Sequence, residues 1–353
     1  MKILALTHSY GADGAAIMLN KTIHYWVHEL GWAVDAAVND AMAALYQEEF
    51  KKNGIKPVKN VDLKIYDVVI INTLLDAPQI DKLNASIPVA LWIHEGETML
   101  DNLTMPAGDL TRLFAKFSLI IFQTDWQKLD VFRSFIYRLE KNRIAVIPNG
   151  ISLPNLPSKE MHIETNDATF RVINVGSVYA RKRQADLAIV IEKIAQDTAI
   201  SCKFIGDLQH ANTFGPEFIH YINKKLPCHE WAGIVPHEQI NAELANANLF
   251  CFPSGDESFP LAPLEAAGVK IPVILADLAP YRYIGWKHEI NCLLYPAGNL
   301  VELEQAIRRL IKDPKLAAKL AQAGYELAQS MSFTHYLDRI TQAMIGLKEI
   351  VKE

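Results

Sequence analysis

One pattern, used twice, constrains this chain more than any single residue does. Short apolar runs recur along its first half: KILAL from Lys2, AVDAAV from Ala33, YDVVIIN from Tyr66, PVALWIH from Pro88, SLIIFQT from Ser118 and RIAVIPN from Arg143. They lack the polar alternation of half-exposed strands, which marks strands covered on both faces and hence a parallel sheet. Between the first two runs Ala16, Leu19, Ile23, Trp26 and Leu30 fall at three- and four-residue spacing, the signature of a helix buried along one face. Gly31 supplies the expected stop. The pattern lapses over GISLPNLPSKEMHIETNDAT (150–169), where prolines and polar residues read as a linker. It then restarts with FRVINVG, the helical QADLAIVIEKIAQD with Leu187, Ile191 and Ile194 inward, and the strands SCKFIGD, NLFCFPS and IPVILAD. Helices follow over roughly 299–312 and 314–329, and a last one runs from about Thr334.

A chain of 353 residues is too long for one core and fits two domains. The expected architecture is α/β, with two Rossmann-like, doubly wound parallel-sheet domains. The boundaries are 1–152, a linker over 153–169, a second domain over 170–330 and a terminal helix over 331–353. A net charge of -5 argues against a nucleic-acid partner. No apolar run approaches the ~20 residues that span a bilayer, and MKILALTHSY lacks the features of a cleaved leader. By elimination the expected location is cytoplasmic. Cys202, Cys228, Cys251 and Cys292 form no C-x-x-C, and Cys202 and Cys251 read as buried reduced thiols.

Open α/β sheets bind ligands beyond the carboxyl ends of their strands, so polar residues directly after an apolar run carry weight. FCFPSGDESFPLAPLEAAG, from Phe250 to Gly268, places Glu257 and Glu265 on either side of an uncharged segment containing two prolines. The backbone N–H groups of Phe259, Leu261 and Ala262 at that helix start suit phosphate oxygens. Glu265 suits a neutral diol such as a ribose, and Glu257 suits sugar hydroxyls. The plainer alternative is that Glu257 caps the helix and Glu265 lies on the surface. In NVGSVYARKRQADL, Arg181, Lys182 and Arg183 stand at the helix end that disfavours cations. One charge pair at 4 Å is worth about 4 kcal/mol at an effective dielectric of 20, so a bound pyrophosphate would offset the misplacement. A solvated basic loop is the alternative. His94, directly after PVALWIH, is open between packing and catalysis. The spacing of Gly11 and Gly14 departs from a dinucleotide fingerprint. Lys51, Lys52, Lys56 and Lys59 read as a solvated loop or as a surface for an anionic lipid or acceptor. The sequence holds no metal-ligand spacing, nucleophile elbow or Walker loop, so chemistry by organic groups without a metal cofactor is expected.

Taken in order, MKILALTH, GADGAA, HELGWAV, PVALWIHEG, IIFQTDWQK, IAVIPNGIS, VINVGSVYARKRQADLAI, WAGIVPHEQI, LFCFPSGDESFPLAPLEAAG, IPVILADLAPYRYI and INCLLYPAGN resemble glycosyltransferase family 4 nearly end to end. These are retaining, nucleotide-sugar-dependent enzymes of GT-B fold, whose two domains flank a cleft. The resemblance implies that Glu265 holds the ribose and Glu257 orients the donor sugar, with backbone contacts from Ser258, Phe259, Leu261 and Ala262. It assigns the diphosphate to Lys182 aided by Arg181, a phosphate approach to Gly14, a place near the reacting sugar to His94, and a base contact to the amide of Val235. The implied reaction moves a sugar from a nucleoside diphosphate to an acceptor hydroxyl, the leaving oxygen taking the acceptor's proton on the same face. Domain closure would exclude water. The N-terminal domain would bind a glycan or lipid-linked acceptor in cell-envelope or polysaccharide synthesis, and the last helix would cross back onto it. A weak peripheral contact with the inner face of a membrane fits the amphipathic stretches MPAGDLTRLFAKF and FRSFIYRLEKNR. Departures from the family pattern are Asp13, Ser152, Ser177, Tyr283 and Cys292. Two rival readings remain, a nucleotide-sugar epimerase of the same fold and a silent transferase-like subunit. The sugar, the base and the acceptor are not legible.

Overall fold

The computed structural model describes the chain except residues 12, 84–86, 102–105, 155–168, 179, 209–213, 225–227 and 350–353. Two compact units result, Met1–Gly150 with Phe333–Glu353, and Ile151–Ser332. Most of the expected linker, 155–168, lies outside the described residues.

The first unit is a sheet of seven parallel strands in the order β3-β2-β1-β4-β5-β6-β7. These strands are β1 (Lys2–Leu6), β2 (Ala33–Ala37), β3 (Lys56–Val58), β4 (Val68–Asn72), β5 (Val89–Trp92), β6 (Leu119–Phe122) and β7 (Ile144–Val146). β4, β5 and β6 are buried along their whole length, as their unbroken apolar runs require. The helix Gly14–His28 buries Ala16, Leu19, Ile23 and Trp26 as expected. Leu30 departs from that face: the helix stops at His28, and Leu30 lies in the exit turn, exposed, ahead of left-handed Gly31. β3 was read as part of a lysine loop. Instead Lys51 and Lys52 close the helix Gln47–Asn53, and Lys56 opens a three-residue edge strand whose lysine and proline protect an open edge.

The chain's last helix, Phe333–Glu349, belongs to this first unit. Its buried face carries Tyr336, Ile340, Met344 and Leu347. Tyr336 and Thr22 share a hydroxyl contact of 2.6 Å, and Trp26 Nε1 donates to Thr341 Oγ1 at 2.9 Å. The Tyr336 ring stacks on Trp92 at 6.0 Å.

The second unit holds six parallel strands in the order β10-β9-β8-β11-β12-β13. They are β8 (Phe170–Val175), β9 (Ile200–Ile205), β10 (His229–Gly233), β11 (Leu249–Phe252), β12 (Val273–Ala276) and β13 (Leu293–Tyr295). β10 and β13 were not foreseen as strands. Helix Gln184–Ile194 buries Leu187, Ile191 and Ile194 on one side of the sheet. Cys202 and Cys251 are fully packed in the core, and burial pushes both thiols up. Among the described residues no helix is long and apolar enough to cross a membrane.

Both sheets reverse strand order at one point, between β1 and β4 in the first unit and between β8 and β11 in the second. The crevice beyond such a reversal is where a doubly wound sheet takes its ligand. At the second reversal, backbones approach too closely for a side chain. A Cβ on Gly206 would lie 2.0 Å from the carbonyl oxygen of Gly176. By contrast, a Cβ on Gly14 would meet nothing within 4 Å. Gly206→Ala should therefore cost at least ~2 kcal/mol in urea unfolding, since the obstacle is backbone. Gly14→Ala should leave the unfolding midpoint unchanged or slightly raised.

Candidate active site

The loop that leaves β8 runs from Gly176 into a tight turn, Ala180–Lys182, and enters helix Gln184–Ile194 through Arg183. Arg183 is left-handed, at φ +53°, an uncommon conformation for a long side chain. That twist sends its guanidinium to Asp186 in the helix's first turn, 2.7 Å away. Its stem and head also lie against Gly255 and Gly298, where any larger residue would strike them. Arg183 thus answers the helix dipole with its own carboxylate partner. Arg181 and Lys182 turn instead toward the neighbouring loop.

Those two cations face the loop that leaves β11. Lys182 Nζ is ion-paired with Glu257 Oε1, and its ammonium lies over the Phe252 ring at 4.9 Å. Arg181 Nη1 donates to the Asp256 carbonyl at 2.6 Å and reaches Glu257 Oε1 at 3.4 Å. Backbone bonds tie the loops together, because Gly255 N donates to the Arg181 carbonyl at 2.8 Å. Lys182 and Glu257 are only 11% and 7% exposed in their side chains. Arg181 and Lys182 thus meet the acidic loop that carries Asp256 and Glu257 at the β8–β11 reversal.

Glu257 is therefore not a helix cap. Helix Ala262–Gly268 starts at Leu261 without any side-chain cap, and Pro263 sits in its first turn. Glu265 is in that same turn, half-buried rather than on an open surface. Ser258, Phe259, Leu261 and Ala262 form the path between the two glutamates, with Phe259 buried. Val235 follows β10 at the far side of β9, half-buried and next to exposed Ile234. The sequence reading missed two neighbours. Phe252 lies under Lys182. Tyr281 has a fully buried hydroxyl that is kept protonated by burial first and by the Glu257 charge second. Only the apolar frame of NLFCFPS hinted at the former, and nothing at the latter.

In the first unit, His94 emerges from β5 into a fixed cradle. Its Nε2 meets Asn72 Oδ1 at 2.8 Å and its Nδ1 meets Gln123 Nε2 at 2.6 Å. The pairing is consistent only with a neutral ring that donates from Nε2 and accepts at Nδ1. Trp92 packs on the ring at 4.4 Å, and desolvation pushes its pKa down to about 3. Neighbouring Glu95 accepts from the backbone N–H groups of Leu74 and His94 at 2.8 and 2.9 Å, and burial raises its pKa. Gly14 is the first residue of its helix. Asp13, which reads in sequence as an intrusive negative charge, is the helix cap, accepting from Ala16 N at 2.9 Å. Ser177 spends its carbonyl on Gln184 Nε2 at 3.0 Å.

A concavity of about 510 Å³ lies elsewhere in the second unit, among Arg171, Lys203, His229, Glu230 and Glu243. It opens at the amino ends of β8, β9 and β10, away from the reversal, and its charges pair with one another.

The second unit is also the part of the chain that a protein-family model matches. A family model described as glycosyl transferases group 1 matches residues 159–327, which include Arg181, Lys182, Glu257 and Glu265. The chain is 26% identical over 209 residues to the alpha-galactosylglucosyldiacylglycerol synthase of Streptococcus pneumoniae, covering 56% of this chain and 54% of that protein. It is 27% identical over 196 residues to a putative teichuronic acid biosynthesis glycosyltransferase, TuaC, of Bacillus subtilis, covering 53% and 46%. The chain thus spans about half the length of these curated relatives. Among solved structures, Anabaena HepE in complex with UDP matches with a TM-score of 0.78 at 18% identity, over 98% of this chain and 100% of that one. A glycosyltransferase from Rickettsia africae matches at 0.75 and 14% identity, over 98% of each chain. At these identities the likeness is one of fold, and the fold is the pair of Rossmann-like domains expected from the sequence.

The Lys182–Glu257 pair makes a prediction independent of any substrate. Removing one member of a largely buried pair strands a charge and costs about 3 kcal/mol, whereas removing both is far milder. Lys182→Met and Glu257→Gln should each lower stability, and the double variant should recover most of the loss in a urea-denaturation cycle.

Proposed function

We propose that this chain is a glycosyltransferase that moves a sugar from a nucleoside-diphosphate donor to an acceptor hydroxyl. One observation carries the reading. Lys182, Arg181 and Glu257 meet at the strand-order reversal of the second unit, inside the segment that matches the glycosyl transferases group 1 model. Two cations gathered where a doubly wound sheet takes its ligand fit a diphosphate that displaces their own carboxylate partner.

In this reading Lys182 and Arg181 stabilise the charge that develops on the leaving diphosphate, a preorganised electrostatic task needing no metal. An arriving diphosphate competes with Glu257 for Lys182. Glu257, released in part, becomes an acceptor for hydroxyls of the donor sugar. Ser258, Phe259, Leu261 and Ala262 bring backbone groups to the sugar and phosphate, Glu265 accepts from the ribose, and Val235 meets the base. We take the transfer to be retaining, with the bond from anomeric carbon to phosphate oxygen breaking as the acceptor oxygen bonds on the same face. The acceptor's proton passes to the departing oxygen. His94, neutral and braced on both nitrogens, lies near the reacting sugar as a fixed ring and bonds to it only by exchanging Asn72 or Gln123, and Gly14 offers an open backbone to a phosphate. The HepE structures with UDP and UDP-glucose favour a uridine donor, and the Streptococcus and Bacillus relatives favour an envelope glycolipid or polysaccharide acceptor.

A silent subunit, the reading that Asp13 and Ser177 favour in sequence, is separated from a transferase by nucleotide binding and turnover. Calorimetry with UDP, GDP, ADP and dTDP should find one tight binder, and Glu265→Ala should weaken it about tenfold or more. Incubation with UDP-glucose, UDP-galactose and GDP-mannose should release nucleoside diphosphate, and Lys182→Ala should abolish that release while the fold persists. Interconversion of the sugar without release would indicate an epimerase. No binding by any nucleotide would defeat the reading.

A further inference from the structure

The first unit has its own strand-order reversal, between β1 and β4, and a polar constellation occupies it that the reading above does not use. His8 follows β1, and Thr73 and Asp76 follow β4. Asp76 is almost wholly buried, yet its carboxylate is saturated. Its Oδ2 accepts from His8 N at 2.8 Å, meets His8 Nδ1 at 2.7 Å and accepts from Thr73 Oγ1 at 3.0 Å, while Oδ1 accepts from Gln79 Nε2 at 2.7 Å. The His8 side chain is 48% exposed. With Nδ1 turned to the carboxylate, the ring presents Nε2 outward. No described residue bonds to that nitrogen.

Backbone strain holds the arrangement. Thr73 has φ +101°, a conformation that costs a β-branched residue ~1–3 kcal/mol and that glycine would take freely. Its hydroxyl on Asp76 is what a glycine would forfeit. A staple between two loops would explain the bonds to His8 N and Thr73, but it needs no imidazole, and none with one nitrogen facing solvent. The surroundings set the ligand's charge. Asp76 bonds the ring directly and Asp13 bonds Ser9 next to it in the chain, so a neutral hydroxyl is favoured over an anion at the imidazole itself, whereas the Gly14 backbone lies past Asp13 at the helix start.

We propose that His8, its ring oriented by Asp76, is a binding residue for a sugar hydroxyl of the acceptor, hydrogen-bonded at Nε2. Naming that ligand as the acceptor rests on the glycosyl-transfer reading; the hydroxyl site itself rests on the geometry. The test uses full-length protein labelled with 15N-histidine and a panel of methyl and octyl glycosides of glucose, galactose and mannose. At least one glycoside should shift the His8 Nε2 resonance, which is assigned by its loss in His8→Phe. For that glycoside, His8→Phe should lower acceptor kcat/KM about tenfold or more, mainly through KM, with UDP affinity by calorimetry unchanged. Asp76→Asn, which no longer fixes the tautomer, should move the resonance before any glycoside is added and weaken the same acceptor. The inference is overturned if no glycoside moves the His8 signal, or if His8→Phe leaves acceptor KM within about twofold of the parent. It is also overturned if a folded His8→Phe loses UDP binding in parallel, which would mark His8 as structural. Failure of the transfer reading is separate, since it shows as absence of nucleotide binding while the His8 signal still reports whether a glycoside docks.

Discussion

Everything assigned to the second unit hangs on how a lysine ammonium is kept charged and in place without water. Lys182 is almost enclosed, and a cation so enclosed needs an anion and a polarisable surface beside it. Glu257 provides the first and the face of Phe252 the second. Because the pair bridges the loops after β8 and β11, it also fixes the spacing of the two segments that would hold a diphosphate. Arg183 fixes the same spacing by another route, wedged against Gly255 and Gly298 while neutralised by Asp186. These loops are therefore already shaped by charges that a ligand would borrow rather than assemble.

Much of this was legible in the sequence because it follows from period and punctuation. Long apolar runs without alternation announced buried parallel strands, and β4, β5, β6, β11 and β12 fall within them. The misses have a common cause. β3 and β13 are three-residue edge strands, and β10 mixes His229, Glu230 and Trp231, so none offers the apolar run that signals a covered strand. Their identity as strands comes from a neighbour's hydrogen bonds, which no local pattern encodes.

At the site, residue types were readable and pairings were not. Three consecutive basic residues at a helix start implied an anion. That the protein itself supplies two such anions, Asp186 for Arg183 and Glu257 for Lys182, needed the folded loops. Asp13 is the reverse case, since a charge that looked intrusive in a phosphate loop is a cap by geometry. His8 satisfied the rule that a polar residue directly after a strand carries weight. Its meaning was hidden because Asp76 joins it from sixty-eight residues away.

The attachment of the final helix to the first unit has a consequence for how the chain is made. Tyr336, Ile340, Met344 and Leu347 complete an apolar surface whose other half, around Thr22, Trp26 and Trp92, is translated some three hundred residues earlier. Domains commonly fold in the order of synthesis, but here the unit that emerges first closes last. Until Leu347 clears the ribosome, nascent chains carry an uncovered greasy seam, whereas the Ile151–Ser332 unit already has every strand it needs.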